Sequence, residues 1–364
     1  MLSLAFKGQR QLFAGAFRHY HQAITTCISS TIKPAGSLIY LHYILLIFDV
    51  CCAGQEYVPD GKMWAQHFQQ LSHLAYSSND VNELQAHLLS YTLYLDAQSC
   101  LAGNTEAGAF VRTYQMQGSR LPTCHEPRNS LQKISLESSE ADIFAACFAL
   151  SNFMRAHFAD LSQLALRIRQ DVDMGHGDLA EHQRHISNCR DELRTSWKLN
   201  CPRFLLCNSS KAGANLLPLT KKIFDFASLQ YSSALIYLHT SMYRGQQMDA
   251  SYLQHKEILF HCRLVLANAS LIVSSGATEQ NYVILPVFLA GVASSNDHDQ
   301  NRAIGIIRAL ERTGISSGAC RSRQLLEAIC VEQRRLVQCG GSAAEVDWIS
   351  YSNEMGLRSV NMGL

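Results

Sequence analysis

Among its 364 residues and 13 cysteines the sequence has no Cys-x-x-Cys pair. That absence excludes the clustered thiolates from which zinc fingers and binuclear zinc clusters are built. The cysteines, from Cys27 to Cys339, are scattered mostly through apolar runs with no secretory signal ahead of them, so they read as reduced, buried thiols. Excess charge of one sign is missing as well, since 31 lysines and arginines stand against 30 acids. A domain that grips nucleic acid through its phosphates shows a basic excess, so direct DNA binding finds no support in the charge. Proline is scarce, at 7 residues, and 47% of the chain is hydrophobic, which excludes a disordered polypeptide. The longest apolar run, Leu38 to Ala53, includes His42 and Asp49 and falls short of the roughly 20 residues of a membrane span.

Motifs for phosphate or acyl chemistry are also missing. Gly54 and Gly61-Lys62 are separated by six residues rather than four and are followed by Met63, so they do not form a P-loop. Ser130 to Lys133 fits Ser-x-x-Lys, but it lies in a polar, proline-flanked stretch without companion motifs.

What the chain does contain is helical periodicity. Apolar residues recur every three or four positions in Leu38–Cys52, Met63–Tyr76, Ile143–Ile168, Lys222–Tyr243 and His255–Val273, and a helix capped by Asp80 carries Leu84, Leu88, Tyr91 and Leu95 on one face. The segment Asp178–Leu193 predicts a shorter, polar helix, and Asn200–Pro218 an irregular connection. No stretch alternates long enough for a sheet. The expected class is therefore all-α, a multi-helix bundle or stack of about a dozen helices without a fixed-period repeat. Residues 1–364 read as one domain whose halves, 1–118 and 140–364, are joined by a polar loop at 119–139. The first 48 residues have no acidic side chain, which can mark a transit peptide, but Leu4–Ile28 reads better as a core helix.

Two clusters could carry chemistry. His176, Asp178, His182 and His185 have metal-like spacing, although a polar helix of this kind is usually a solvated face. Asp171 and Asp173 invite comparison with the magnesium-binding aspartates of helical terpene synthases, but the glycines after them predict a helix end, and no second magnesium motif follows. Arg302, Arg308, Arg312, Arg321, Arg323, Arg334 and Arg335 are interspersed with Glu311, Glu327 and Glu332, as expected of exposed helix faces.

The stretch from Gln280 to Met355 carries the clearest signature. Pro286 must start or kink a helix, Ser295, Asn296 and Asp297 offer cap oxygens with Gln300 in capping-box position, and Gly314-Ile315 predicts a helix stop. The order Leu285-Pro286-Val287-Phe288-Leu289-Ala290-Gly291, then Arg302 opening a helix, then Leu325-Leu326-Glu327, then Val346-Asp347-Trp348, resembles the C-terminal end of the fungal-specific transcription factor domain. In that family this region follows a binuclear zinc cluster. The segments Ala14–Ile24, Phe48-Asp49-Val50 and Tyr94–Thr105 resemble the same domain, whereas Val292-Ala293 and Cys330 depart from its usual residues.

The resemblance implies Pro286, Gly291, Arg302, Leu325, Leu326, Glu327, Asp347 and Trp348 as structural signature residues, with no catalytic, cofactor or metal site. It implies a nuclear transcriptional regulator, with the cytoplasm as the alternative location, that controls a gene set such as a secondary-metabolite cluster. Its partners would be other transcription factors or the transcription machinery, with dimerisation open and no membrane. DNA would be reached only indirectly unless an upstream zinc cluster exists. The alternatives are a terpene-synthase-like helical enzyme, or a truncated product of a longer zinc-cluster factor.

Overall fold

The computed structural model describes residues 18–19, 21–25, 35–52, 63–77, 81–104, 106–117, 135, 138–176, 178–207, 216–244, 246, 252–275, 280–294, 296–313 and 318–357. The described residues contain helices and no strand, so the chain is all-α. The helices are α1 (Ala35–Cys52), α2 (Met63–Ser77), α3 (Glu83–Leu101), α4 (Ala109–Met116), α5 (Glu140–Asp173), α6 (Leu179–Asn200), α7 (Arg203–Cys207) and α8 (Pro218–Thr240). They continue with α9 (Tyr252–Ser274), α10 (Ile284–Ala293), α11 (Asp297–Thr313), α12 (Gly318–Gln338) and α13 (Trp348–Glu354).

The spine is α5, whose 34 residues extend about 50 Å at 1.5 Å per residue. Ser139 starts it by accepting the Asp142 backbone N–H at 3.2 Å, and Gly175 at φ 67° follows its end. Its stripe of Ile143, Cys147, Leu150, Met154, Phe158, Leu161, Ala165 and Ile168 is buried. Helices α3 and α8 pack along this stripe. At their junction Tyr94 meets the rings of Phe158 and Phe226 edge-on, each at 5.4 Å between centroids. Helix α1 packs on α2, and in the C-terminal part α10 lies among α8, α9, α11 and α12. That surrounding explains how so short and apolar a helix stays out of water: Ile284 through Val292 are all buried. One connected set of buried side chains runs from Ile39 to Ile349.

Several element ends differ from the sequence expectation for local reasons. The cap of α3 is Asn82 rather than Asp80, because Asn82 Oδ1 accepts the Gln85 N–H at 2.9 Å while Gln85 Oε1 accepts that of Asn82 at 2.9 Å. Helix α6 continues seven residues past Leu193 because Trp197 stacks on Tyr231 of α8, with 4.5 Å between centroids, and docks the last turns. The Asn200–Pro218 connection contains the single helical turn α7. Residues 18–19 and 21–25 of the expected Leu4–Ile28 core helix are helical but none is buried, and the rest of that stretch lies outside the described residues. So do most of the 119–139 loop, Ser130 to Lys133, and Gly314-Ile315.

Within the resembling segment Tyr94–Thr105, Asp96 is fully buried on α3 and caps a different helix. Its carboxylate accepts the backbone N–H groups of Gly108 at 2.7 Å, Phe110 at 2.8 Å and Val111 at 3.0 Å, so the first turn of α4 is satisfied from outside. Gly108 has φ 92° and no side chain to offer as a cap, so the task falls to Asp96. Asp96→Ala is expected to destabilise the protein by about 3 kcal/mol or more, since it strands three buried donors. Chemical denaturation checks this, and a loss under about 1 kcal/mol would show that water replaces the carboxylate.

Candidate functional site

The signature residues of the C-terminal stretch come together where α5, α8, α10, α12 and α13 meet. Pro286 is the third residue of α10, a position with no intrahelical partner for an N–H, so it starts that helix without kinking it. Gly291, in the last turn of α10, is buried against Ala303 of α11 and Leu326 of α12. A Cβ there would lie 2.9 Å from Leu326 Cδ2 and 3.0 Å from Ala303 Cβ, so the close approach requires glycine. Leu325 and Leu326 of α12 are fully buried. Phe288 meets Trp348 edge-on at 5.0 Å and 71°.

Asp347 and Trp348 close the chain onto α5 and α8. Asp347 caps α13 by accepting the Ser350 N–H at 3.1 Å, and it receives both Arg169 Nη groups, at 2.9 and 3.1 Å. Arg169 Nη2 also donates to the Ser241 carbonyl at 2.6 Å, while Trp348 Nε1 donates to the Ser241 hydroxyl at 2.9 Å. Burial opposes the charge on Asp347, but the Arg169 guanidinium and the Ser350 donors hold its carboxyl below the usual carboxylate range. Arg169 has its own pKa raised despite burial, through Tyr237 and Asp347.

The remaining signature residues sit outside this junction. Arg302 does not open α11, which begins five residues earlier. The cap is Asn296, whose side chain accepts the His298 N–H at 2.9 Å. Gln300 is not a capping-box partner, because its amide donates inward to the Ser294 carbonyl and to Gln333 Oε1. Arg302 is exposed and donates to Ser270 Oγ of α9 at 3.2 Å. Glu327 accepts from Arg308 at 2.9 Å and from Arg323 at 2.7 Å. With Arg323–Glu311 and Arg335–Glu332, these pairs neutralise much of the arginine-rich surface of α11 and α12.

Open clefts among the described residues include two. One, of about 410 Å³, lies between α11 and α12 over Ile304, Gly305 and Val331. The other, of about 530 Å³, lies between α5 and α6 and is lined by Asp160, Gln163, His185, Cys189 and Glu192. Burial and the nearby Glu192 push the Asp160 carboxyl up. The four residues with metal-like spacing are separated: His185 faces this cleft, His182 is buried, Asp178 caps α6 through the Ala180 N–H, and His176 is exposed. Among the described residues no group of three histidine, cysteine or acidic side chains is close enough to hold a metal ion. Asp171 and Asp173 are in the last turn of α5, and neither lines these clefts. Gly314-Ile315-Ser316-Ser317-Gly318 spells Gly-x-Ser-x-Gly, a match the sequence reading missed, but it joins α11 to α12 with no strand before it, as a nucleophile elbow requires.

Sequence reasoning also missed Arg169 and Ser241, which complete the junction. No local signal marks them, since Arg169 stands 178 residues from Asp347.

The sequence profile of the fungal specific transcription factor domain matches residues 15–362. The chain therefore belongs to that family, and membership makes it part of a transcriptional regulator. No curated protein and no solved structure matches it.

Arg169→Met leaves Asp347 buried without its cation, and is expected to cost about 3–5 kcal/mol in chemical denaturation at neutral pH. Because the Asp347 pKa is lowered on folding, its contribution is present above the ordinary carboxylate range and lost as pH falls below it. The stability gap between the native protein and Asp347→Asn should therefore narrow below about pH 4. A gap that stays constant with pH would mean that Asp347 acts only through its shape.

Proposed function

We propose that this chain is the regulatory domain of a fungal transcription regulator that acts in the nucleus through protein–protein contacts. Its partners are other transcription factors or components of the transcription machinery, and its output is the expression of a gene set such as a secondary-metabolite cluster. The domain spans residues 1–364, with halves at 1–118 and 140–364, and does no catalysis. Pro286, Gly291, Leu325, Leu326, Asp347 and Trp348 are its structural signature, with Arg302 and Glu327 on the surface beside them.

The observation that carries this reading is the direction in which the signature residues spend their chemistry. Asp347 and Trp348 bond to Arg169 and Ser241 inside the protein, and Gly291 and Leu326 fill the α10–α12 contact. None of these four lines either cleft, whereas Glu327 lines the one between α11 and α12 beside Arg308 and Arg334, so the interior part of the signature supports a scaffolding role. The near-neutral charge and the paired arginines of α11 and α12 favour protein partners over phosphate backbones.

Deleting the gene should change a defined set of transcripts, and the tagged protein should be nuclear. Unchanged transcripts together with a location outside the nucleus would refute this function.

A further inference from the structure

Helix α9 has two faces of different fate. Ile258, Cys262, Val265, Leu266 and Ala269 are buried on the side that packs on α8 and α10. On the opposite side Phe260, Leu264, Ala267 and Leu271 follow one another at spacings of four, three and four residues. That is the 3.5-residue period of a helix–helix seam. Phe260 is 61% exposed and Leu271 66%, with Leu264 and Ala267 half-buried between them. Single exposed apolar residues are ordinary, but a periodic row of them along one helix is an unpartnered packing surface.

One flank of this row is basic. Lys256 and Arg263 are exposed on the same face of α9, and Arg302 of α11 reaches across to Ser270 beside Leu271. The only acid in α9, Glu257, lies on the other flank, where its carboxylate is held by Arg194 and by His239 of α8. The seam therefore combines apolar knobs with positive charge along one flank, and the single carboxylate on its other flank is already engaged within the protein.

We propose that the α9 seam docks a helix of a partner protein, apolar along one stripe and acidic along the flank that meets Lys256, Arg263 and Arg302. This rests on the protein-contact function proposed above and supplies the surface and the chemistry of the partner. An acidic helix is favoured over a second copy of this chain, because an antiparallel pair of α9 helices would set two basic flanks together, and in a parallel pair the facing Glu257 is already engaged by Arg194 and His239. It is also favoured over a lipid bilayer. One 20-residue window of α9, His255–Ser274, is long and apolar enough to cross a membrane, but its inner face is part of the protein core.

The test uses the full chain and a fluorescent synthetic peptide of about three heptads, leucine on the seam and glutamate on the flanks, followed by anisotropy. The acidic peptide should bind, with affinity falling as salt is added. Phe260→Glu or Leu271→Glu should each weaken it at least about tenfold, and so should replacing the peptide glutamates by lysine. Both substituted side chains are mostly exposed, so circular dichroism and Tm should stay near those of the native protein. Equal binding of the acidic and basic peptides, or no effect of either substitution, overturns the proposal. So does a dimer in sedimentation that Phe260→Glu dissociates, which would make a second copy the occupant. Binding to phosphatidylserine vesicles that the same substitutions abolish, while peptide binding is unchanged, would assign the seam to a membrane surface and overturn it too.

Expression of Phe260→Glu in the deletion strain separates the two ideas. Failure of this folded variant to restore the transcripts supports docking at α9. Full restoration overturns docking and leaves the regulator intact as a reading, whereas unchanged transcripts in the deletion together with a location outside the nucleus overturn the regulator and leave the peptide result standing.

Discussion

The bidentate pair between Arg169 and Asp347 is the constraint on which the closing of this fold depends. Both side chains are largely out of water, and such a pair contributes little net stability compared with an apolar contact. What it enforces is position, since a carboxylate left there without its guanidinium would be a buried, uncompensated charge. Arg169 lies near the C-terminal end of the long helix α5, and its second bond goes to the Ser241 carbonyl just after α8. The C-terminal helix α13 can therefore seat only where α5 and α8 are already in register. Trp348 reads the same place by a second route, through the Ser241 hydroxyl and the ring of Phe288.

Around that junction the helices approach closely, and the residues that allow it are small or conformationally free. Gly291 lets α12 and α11 onto α10. Gly103, at φ 80° after α3, leaves room for Ile349 of α13, whose Cγ2 would be 2.3 Å from any Cβ placed there. Asp96 plays the complementary part near the same end of α3, where the buried start of α4 needs an acceptor that its own cap residue lacks. Polar chemistry inside this protein thus answers backbone and charge requirements created by packing.

The outward-facing chemistry is different in kind. On α11 and α12 arginines and glutamates neutralise one another in surface pairs, which favour solubility and add little stability. On α9 the exposed row is apolar with a basic flank, and the one acid, on the other flank, is held by Arg194 and His239. Those donors, opposed by burial, pull the Glu257 carboxyl down to about 2. Most of the family signature is thus internal, with Arg302 and Glu327 on the surface, while an apolar row of α9 stays uncovered.

The sequence by itself determined the class and most of the helices, because amphipathic periodicity is local: the stripe from Ile143 to Ile168 could be written down before any contact was known. It also determined the family, through ordered short motifs between Leu285 and Trp348. Helix ends were less legible, since they turn on tertiary contacts such as Trp197 against Tyr231 or on a choice among neighbouring caps such as Asn82 and Asp80. Only the tertiary structure decided that Arg169 and Ser241 belong with Asp347 and Trp348, that Asp96 caps a helix other than its own, and which face of α9 stays uncovered. These relations join residues from about a dozen to nearly two hundred positions apart, where spacing along the chain carries no information about distance in space.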